Sequence, residues 1–277
     1  MMITAIDLDG TLLSDDTTVS KENLAAIKRL YDSGILTLPV TGRTFYEIPQ
    51  ELIEADYIRY CVFSNGAAVF SRGQGNIFYS PIKEDTAKKV FELLNSYETF
   101  IELYADGTPL VDSEKFSEEG FEYYRIDRGF LPEMRRSRRP VNAFSSSLEN
   151  KAMKLEMFDV FFRNQFERAE CTEMLERLFP ELEVTTSMDN NLEIMNRGIN
   201  KGTGLKKFCE LTGSSIDDII AVGDSKNDLT FFNAAKTRFA VSNACSELKS
   251  ISSRIICSNE ENVMCYMEKY YKENGYI

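Results

Sequence analysis

Asp7-Leu8-Asp9-Gly10-Thr11-Leu12 sets two carboxylates two residues apart, where the apolar run Met2 to Leu8 meets a glycine. Glycine permits a sharp turn at that junction. Two carboxylates about 4 Å apart repel by roughly 4 kcal/mol at an effective dielectric of 20, so the pair calls for a cation or a shared proton. A hard divalent ion with oxygen ligands answers that need, magnesium above all. Alone the pair is weak evidence, because D-x-D also occurs in sugar-nucleotide transferases and in solvated turns. Further chemistry-bearing groups follow in order: Thr41-Gly42-Arg43, then Asn200-Lys201-Gly202, then Gly223-Asp224-Ser225-Lys226-Asn227-Asp228. Taken singly, Lys201 reads as an ordinary first-turn lysine and Thr41-Gly42 as a turn. Asp224 and Asp228 then read as an acid cluster at a helix entry, and Asn65-Gly66 as a routine turn.

The chain has no histidine, which removes the usual general base, the usual nitrogen ligand for metals and every Ser/His/Asp or Cys/His arrangement. Chemistry here must run on carboxylates, lysine, hydroxyls and metal. A formal net charge of -12 opposes nucleic-acid binding, which needs clustered positive charge to displace counterions. The one basic cluster, Arg135, Arg136, Arg138 and Arg139, reads as a solvated loop, with contact to an anionic substrate as the alternative. Six scattered cysteines without a C-x-x-C pair read as reduced core residues. No apolar run approaches the roughly 18 residues of a membrane span, and Met1 to Gly10 has no basic region ahead of its apolar residues. The expectation is a cytoplasmic protein with no membrane partner.

The elements that must position these groups follow from patterning. Met2 to Leu8 suits a buried parallel strand with Asp7 at its C-terminal end. A helix is predicted from Ser20 as N-cap to Gly34, with Leu24, Ile27, Leu30 and Tyr31 on its apolar stripe. A second buried strand, Ile35 to Val40, ends at Thr41. The same alternation returns in Ile219 to Asp224, Arg238 to Val241 and Arg254 to Cys257, and argues for a parallel sheet flanked by helices. In such open sheets ligands bind beyond the carboxyl ends of the strands, where Asp7, Thr41 and Asp224 all fall.

Between about 82 and 190 the rhythm changes. A helix over Asp85 to Asn95, two strands around the Asp106-Gly107 turn, helical sequence near Phe116 to Tyr124 and a strand over Leu155 to Phe161 are predicted. A helix follows with Cys171, Met174, Leu175 and Leu178 on one face, then strands at Leu182 to Thr186 and Leu192 to Met195. The predicted fold class is therefore α/β, a doubly wound, Rossmann-like parallel-sheet core over 1–81 and 191–277 with an inserted α+β cap domain over 82–190.

The four ordered motifs together resemble those of the haloacid dehalogenase superfamily, and the position and size of the insert resemble the Cof-type sugar-phosphatase branch. Motif similarity covers about 1–80 and 190–277. The resemblance implies that Asp7 attacks phosphorus while its other oxygen binds magnesium. Asp9 would bind the metal through its backbone carbonyl and act as general acid, then base. Thr41, the Gly42 N–H, the Leu8 backbone, Lys201 and Asn227 would hold phosphate oxygens. Asp224 would complete the metal site, supported by Asp228 and Ser225. Ser225 stands where glycine is usual, and Ser242-Asn243-Ala244 replaces the common Gly-Asn-Ala, but no charge is lost.

Physical chemistry agrees with these roles. A carboxylate nucleophile divides hydrolysis into formation and breakdown of an aspartyl phosphate, and magnesium with Lys201 neutralises the transferring phosphoryl group. Asp9, in a less polar niche, could hold a proton near neutral pH and do the work of the missing histidine. The reading is a magnesium-dependent phosphatase acting on a small phosphorylated metabolite such as a sugar phosphate. Alternatives are a phosphomutase or phosphotransferase on the same core and a non-catalytic phospho-ligand binding protein. A receiver-type signalling domain is disfavoured by the large insert. Arg43 could touch the leaving group, and Tyr104 and the arginine cluster are the candidates for specificity in the insert. Nothing in the sequence sets an oligomeric state.

Overall fold

Ile3–Ile6 forms β1, fully buried along its length, as expected for a strand covered on both faces. The computed structural model describes residues 2–149, 153–186 and 188–277. After β1 come α1 (Lys21–Asp32), β2 (Leu36–Pro39), α2 (Gln50–Glu54), β3 (Tyr60–Phe63), β4 (Ala68–Ser71) and β5 (Gly75–Tyr79). The middle stretch adds α3 (Glu84–Leu94), β6 (Thr99–Ala105), β7 (Thr108–Asp112), α4 (Glu118–Tyr123), α5 (Leu131–Ser137) and β8 (Arg139–Val141). It continues through β9 (Leu155–Phe162), α6 (Gln165–Leu178), β10 (Leu182–Thr185) and β11 (Asn191–Asn196). The last stretch holds α7 (Lys201–Thr212), β12 (Ile219–Gly223), α8 (Leu229–Ala234), β13 (Thr237–Ala240), α9 (Ser246–Ile251), β14 (Arg254–Ile255) and α10 (Val263–Glu273).

Two compact units result. The first comprises the chain up to Arg43, Ile48–Tyr79 and Asn200–Ile277, and the second Thr44–Glu47 and Ser80–Ile199. In the first, a five-stranded sheet runs in the order β14-β13-β12-β1-β2, parallel throughout. The antiparallel meander β3-β4-β5, which the sequence pattern did not signal, joins it by a parallel bridge between Val40 and Val62. Strand β1 lies centrally, with β2 on one side and β12 on the other, so the sheet reverses its winding there and leaves a crevice at the strand ends. The predicted stripe of α1 is rotated: Asn23, Ala26, Ile27 and Leu30 are buried, while Leu24 and Tyr31 sit at its margins. Ser20 caps the helix by accepting from the Asn23 N–H.

The second unit is built on a six-stranded sheet, β10-β11-β9-β6-β7-β8, antiparallel except for the β7–β8 pair. Sequence reading placed the end of the insert at 190. The second unit runs on to Ile199, because β11 is hydrogen-bonded between β9 and β10. The Asp106-Gly107 turn adopts positive φ at both residues, 49° and 77°, as a two-residue hairpin requires. On α6, Cys171 and Leu175 are buried, but Leu178 is 50% exposed and Phe179 packs in its place. Of the arginine run, which spans the end of α5 and the start of β8, Arg135, Arg136 and Arg139 are exposed as expected of a solvated segment, but Arg138 is buried. No helix among the described residues is long and apolar enough to cross a membrane.

Candidate active site

The ends of β1, β2 and β12 set the geometry of the site. Register pairs Ile6 with Val222, and the Asp7 N–H donates to the Val222 carbonyl at 2.9 Å. Asp7 therefore leaves β1 beside Gly223 and Asp224. The chain then turns through Leu8–Leu12 with Gly10 at φ 70°. A Cβ on Gly10 would stand 2.7 Å from Asp224 Oδ2, so glycine is demanded here both by backbone angle and by space. On the other side of β1, the Val40 N–H bonds the Ile6 carbonyl and the Thr41 N–H bonds the Val62 carbonyl. This brings the Thr41-Gly42-Arg43 loop alongside.

Asn65 and Gly66, read from sequence as a routine turn, support that loop from below. Both are buried, and the Asn65 N–H donates to the Thr41 carbonyl at 3.1 Å. At Gly66, φ is 95° and an added Cβ would lie 2.2 Å from the Asn200 carbonyl. The only sequence signal was the Asn-Gly pair itself, which any left-handed turn shares.

Lys201 opens α7, whose N-cap Asn200 and Thr203 exchange side-chain and backbone bonds in a capping box. That cap directs the lysine inward. It is 2% exposed, and Nζ lies 2.6 Å from Asp7 Oδ1, 2.7 Å from Asp228 Oδ1 and 3.3 Å from Asn227 Oδ1. This is no ordinary first-turn lysine. Burial pulls its basicity down, but the carboxylates of Asp228 and Asp7 outweigh burial and the net shift is upward.

Asp228 Oδ2 accepts from the N–H groups of Asp224 and Ser225 at 2.9 and 3.0 Å, so Asp228 fixes the backbone that carries Asp224. Ser225 Oγ donates to Asn227 Oδ1 at 2.6 Å. Asp224 in turn accepts from Thr11 Oγ1 at 3.0 Å.

The electrostatics are those of crowded, desolvated acids. Burial holds the Asp7 carboxyl well above the usual range; Lys201 lowers it, while Asp228, Asp224 and Asp9 raise it. Asp224 is pushed up to about 6, by burial first and then by Asp228. Asp7, Asp224 and Asp228 bring one carboxylate oxygen each within 4.8 Å of one another. An all-oxygen, multiply acidic set of this kind fits a hard divalent cation. Both oxygens of Asp228 are already committed to Lys201 and to backbone N–H groups, so Asp7 and Asp224 are the carboxylates suited to hold it.

Asp9 differs from its sequence-based expectation. Its side chain is 52% exposed, not set in an apolar niche, because the Gly10 turn swings it away from the crowded acids. Its Oδ2 and Oδ1 accept from Arg43 Nε and Nη2 at 2.9 and 2.6 Å. Arg43, expected to touch a leaving group, is here engaged with Asp9. Tyr104 is buried, its hydroxyl 3.3 Å from Arg138 Nη2. A side chain so enclosed does not fit the specificity role expected of it.

A family model described as haloacid dehalogenase-like hydrolase matches residues 4–267. The chain is 30% identical over 283 residues to the 5-amino-6-(5-phospho-D-ribitylamino)uracil phosphatase YwtE of Bacillus subtilis, covering 96% of each protein. It is 25% identical to phosphatase YwpJ of the same organism, over 98% of this chain and 99% of that one. Among solved structures, a haloacid dehalogenase-like hydrolase from Bacteroides thetaiotaomicron superposes with a TM-score of 0.83 at 20% identity, covering 97% of this chain and 99% of that one.

Proposed function

Since the chain belongs to the haloacid dehalogenase-like hydrolase family and is an enzyme of the phosphatase class, we propose that it hydrolyses phosphate monoesters of small metabolites through an aspartyl phosphate on Asp7, with magnesium as its cofactor. The observation that carries this reading is the contact of Lys201 Nζ with Asp7 Oδ1 at 2.6 Å, beside Asp224 at the mouth of three parallel strands. Asp7 is the nucleophile whose attack on phosphorus releases the alcohol. The Thr41 hydroxyl, the N–H groups of Gly42 and Leu8, Asn227 and Lys201 would bind the three phosphoryl oxygens, donors placed for charge that develops in the transition state. Asp7, Asp224 and the Asp9 backbone carbonyl would hold the cation, which when bound supplies positive charge against the phosphoryl oxygens.

Asp9 gives a proton to the leaving oxygen and then takes one from the water that attacks the aspartyl phosphate. One Asp9 oxygen stays on Arg43 while the other turns to the substrate, so Arg43 acts as the holder that positions Asp9. The relatives' names support phosphorylated metabolites as substrates, and YwtE acts by its name on a phosphorylated ribitylamino-pyrimidine. We assign this chain to the same class, phosphate esters of sugars and sugar alcohols. The test is a panel of such esters assayed for free phosphate in magnesium. Release of phosphate supports hydrolysis, while transfer to a second sugar hydroxyl without release supports a mutase instead.

A further inference from the structure

Arg138, which the sequence places in a basic run, is the centre of a buried cluster in the second unit. Its side chain is fully buried, as is that of Glu102, and those of Glu47 and Glu133 are nearly so. Nε reaches both oxygens of Glu102 at 3.1 Å, and Nη2 lies 2.9 Å from Glu102 Oε2 and 3.3 Å from the Tyr104 hydroxyl. Nη1 bonds Glu133 Oε2 at 2.6 Å, Ser137 Oγ at 2.9 Å, and Glu47 Oε1. The ring of Phe130 packs 5.2 Å from the guanidinium carbon. The planar fork is saturated by partners from three separate segments, an arrangement a lysine could not reproduce.

One guanidinium cannot neutralise three glutamates. Buried ion clusters of this kind are often no more stable than apolar packing of the same volume, so stability alone does not account for it. What distinguishes Glu47 from the other two acids is its position. It lies four residues after Arg43, in the segment that continues directly from the Thr41-Gly42-Arg43 loop. Its Oε2 accepts from the Thr44 N–H at 2.7 Å, and its own N–H closes the turn onto the Thr44 carbonyl at 3.1 Å. A second tether lies beside it, where the Tyr46 N–H donates to the Gly107 carbonyl at 3.1 Å and Gly107 is itself held by Glu156 at 2.7 Å.

We propose that Arg138 is a positioning residue for the phosphate loop, acting through Glu47 and the Thr44 amide to fix the backbone as it leaves Arg43. The inference rests on the reading that Thr41 and Gly42 bind phosphate. When ionised, Glu47 offers one oxygen to Arg138 and the other to Thr44, which a carboxylate does and a carboxamide cannot, since its nitrogen would face a donor on one side.

The test compares Glu47→Gln with Glu102→Gln, which removes a charge from the same guanidinium but lies on β6, outside the Thr44–Glu47 segment. Calorimetric titration with inorganic phosphate in magnesium reads the loop without turnover, and p-nitrophenyl phosphate hydrolysis gives KM and kcat. Glu47→Gln is expected to weaken phosphate binding and raise KM about tenfold, with Glu102→Gln within about threefold of wild type. Arg138→Lys should match Glu47→Gln, and the double variant should be no worse than either single one, because both act through one chain of contacts. If Arg138→Lys does not fold, the two glutamine variants decide alone. Equal effects of Glu47→Gln and Glu102→Gln, or no effect of Glu47→Gln, overturn the inference. A wild type that binds phosphate but hydrolyses nothing tells against the hydrolase reading, and calorimetry still decides the inference. A wild type that binds no phosphate sinks both.

Discussion

Arg43 sets Nη2 2.6 Å from Asp9 Oδ1 and Nε 2.9 Å from Asp9 Oδ2, so the residue after Gly42 grips the second acid of the Asp7-Leu8-Asp9 turn. Arg43→Met frees that acid from its holder. The expected result is a fall in kcat of about a hundredfold for an alkyl phosphate, whose leaving oxygen needs a proton. With p-nitrophenyl phosphate the fall should be about tenfold or less, because its anion leaves without one. Steady-state rates on the two substrates check this, and equal losses on both would speak against a role through Asp9.

Lys201 touches the nucleophile and is buried with two carboxylates, so its removal should strike both rate and fold. Lys201→Met is expected to lower kcat by about 10²- to 10³-fold. It should also lower stability by about 3 kcal/mol, because it leaves Asp7 and Asp228 uncompensated. Denaturant unfolding and turnover are the measurements, and an unchanged rate would refute the charge role.

A divalent ion held by Asp7 and Asp224 should offset the burial and the neighbouring negative charge that lift both carboxyls. Magnesium is expected to raise the melting temperature of the wild type in a concentration-dependent way, and EDTA to abolish turnover. Asp224→Asn should remove both the thermal response and the activity. Full turnover in excess EDTA would contradict this assignment.

Much of this site is legible in the sequence. Asp7, Thr41 and Asp224 end buried parallel strands, and short apolar runs closed by glycine or acid mark such ends. Lys201 follows Asn200, a capping residue that announces a helix start. Arg138 was not legible, because its partners Glu102 and Glu47 lie 36 and 91 residues away and four arginines in five positions look like surface. Asp9 was misjudged for a related reason: sequence spacing places it near Asp7 but does not show that the Gly10 turn points it at Arg43. Leu178 fits the apolar stripe of α6 by spacing alone, yet the chain leaves the helix there and Phe179 takes the core position.

Glu47 makes stability depend on pH. Burial, opposed by Arg138 and the Thr44 N–H and reinforced by Glu133 and Glu102, raises its carboxyl from 4.5 to about 7. A raised carboxyl means that the folded state holds the proton more tightly. Its contribution is therefore fully present below about 4.5 and is lost as pH rises through about 7. The difference amounts to about 3 kcal/mol. Urea unfolding at pH 5.5 and 8.5 should show Glu47→Gln losing less stability than the wild type across that window. A parallel loss in both proteins would assign the titration elsewhere.

The central claim is that Asp7 carries the phosphoryl group. Asp9→Asn keeps the nucleophile but removes the base that activates water. Mixed with p-nitrophenyl phosphate and magnesium, then quenched in acid and digested, this variant should yield one phosphorylated peptide with the group on Asp7. The same experiment on Asp7→Asn should yield none, with turnover lost. A phosphoryl group on any other residue, or wild-type turnover in Asp7→Asn, would contradict the account.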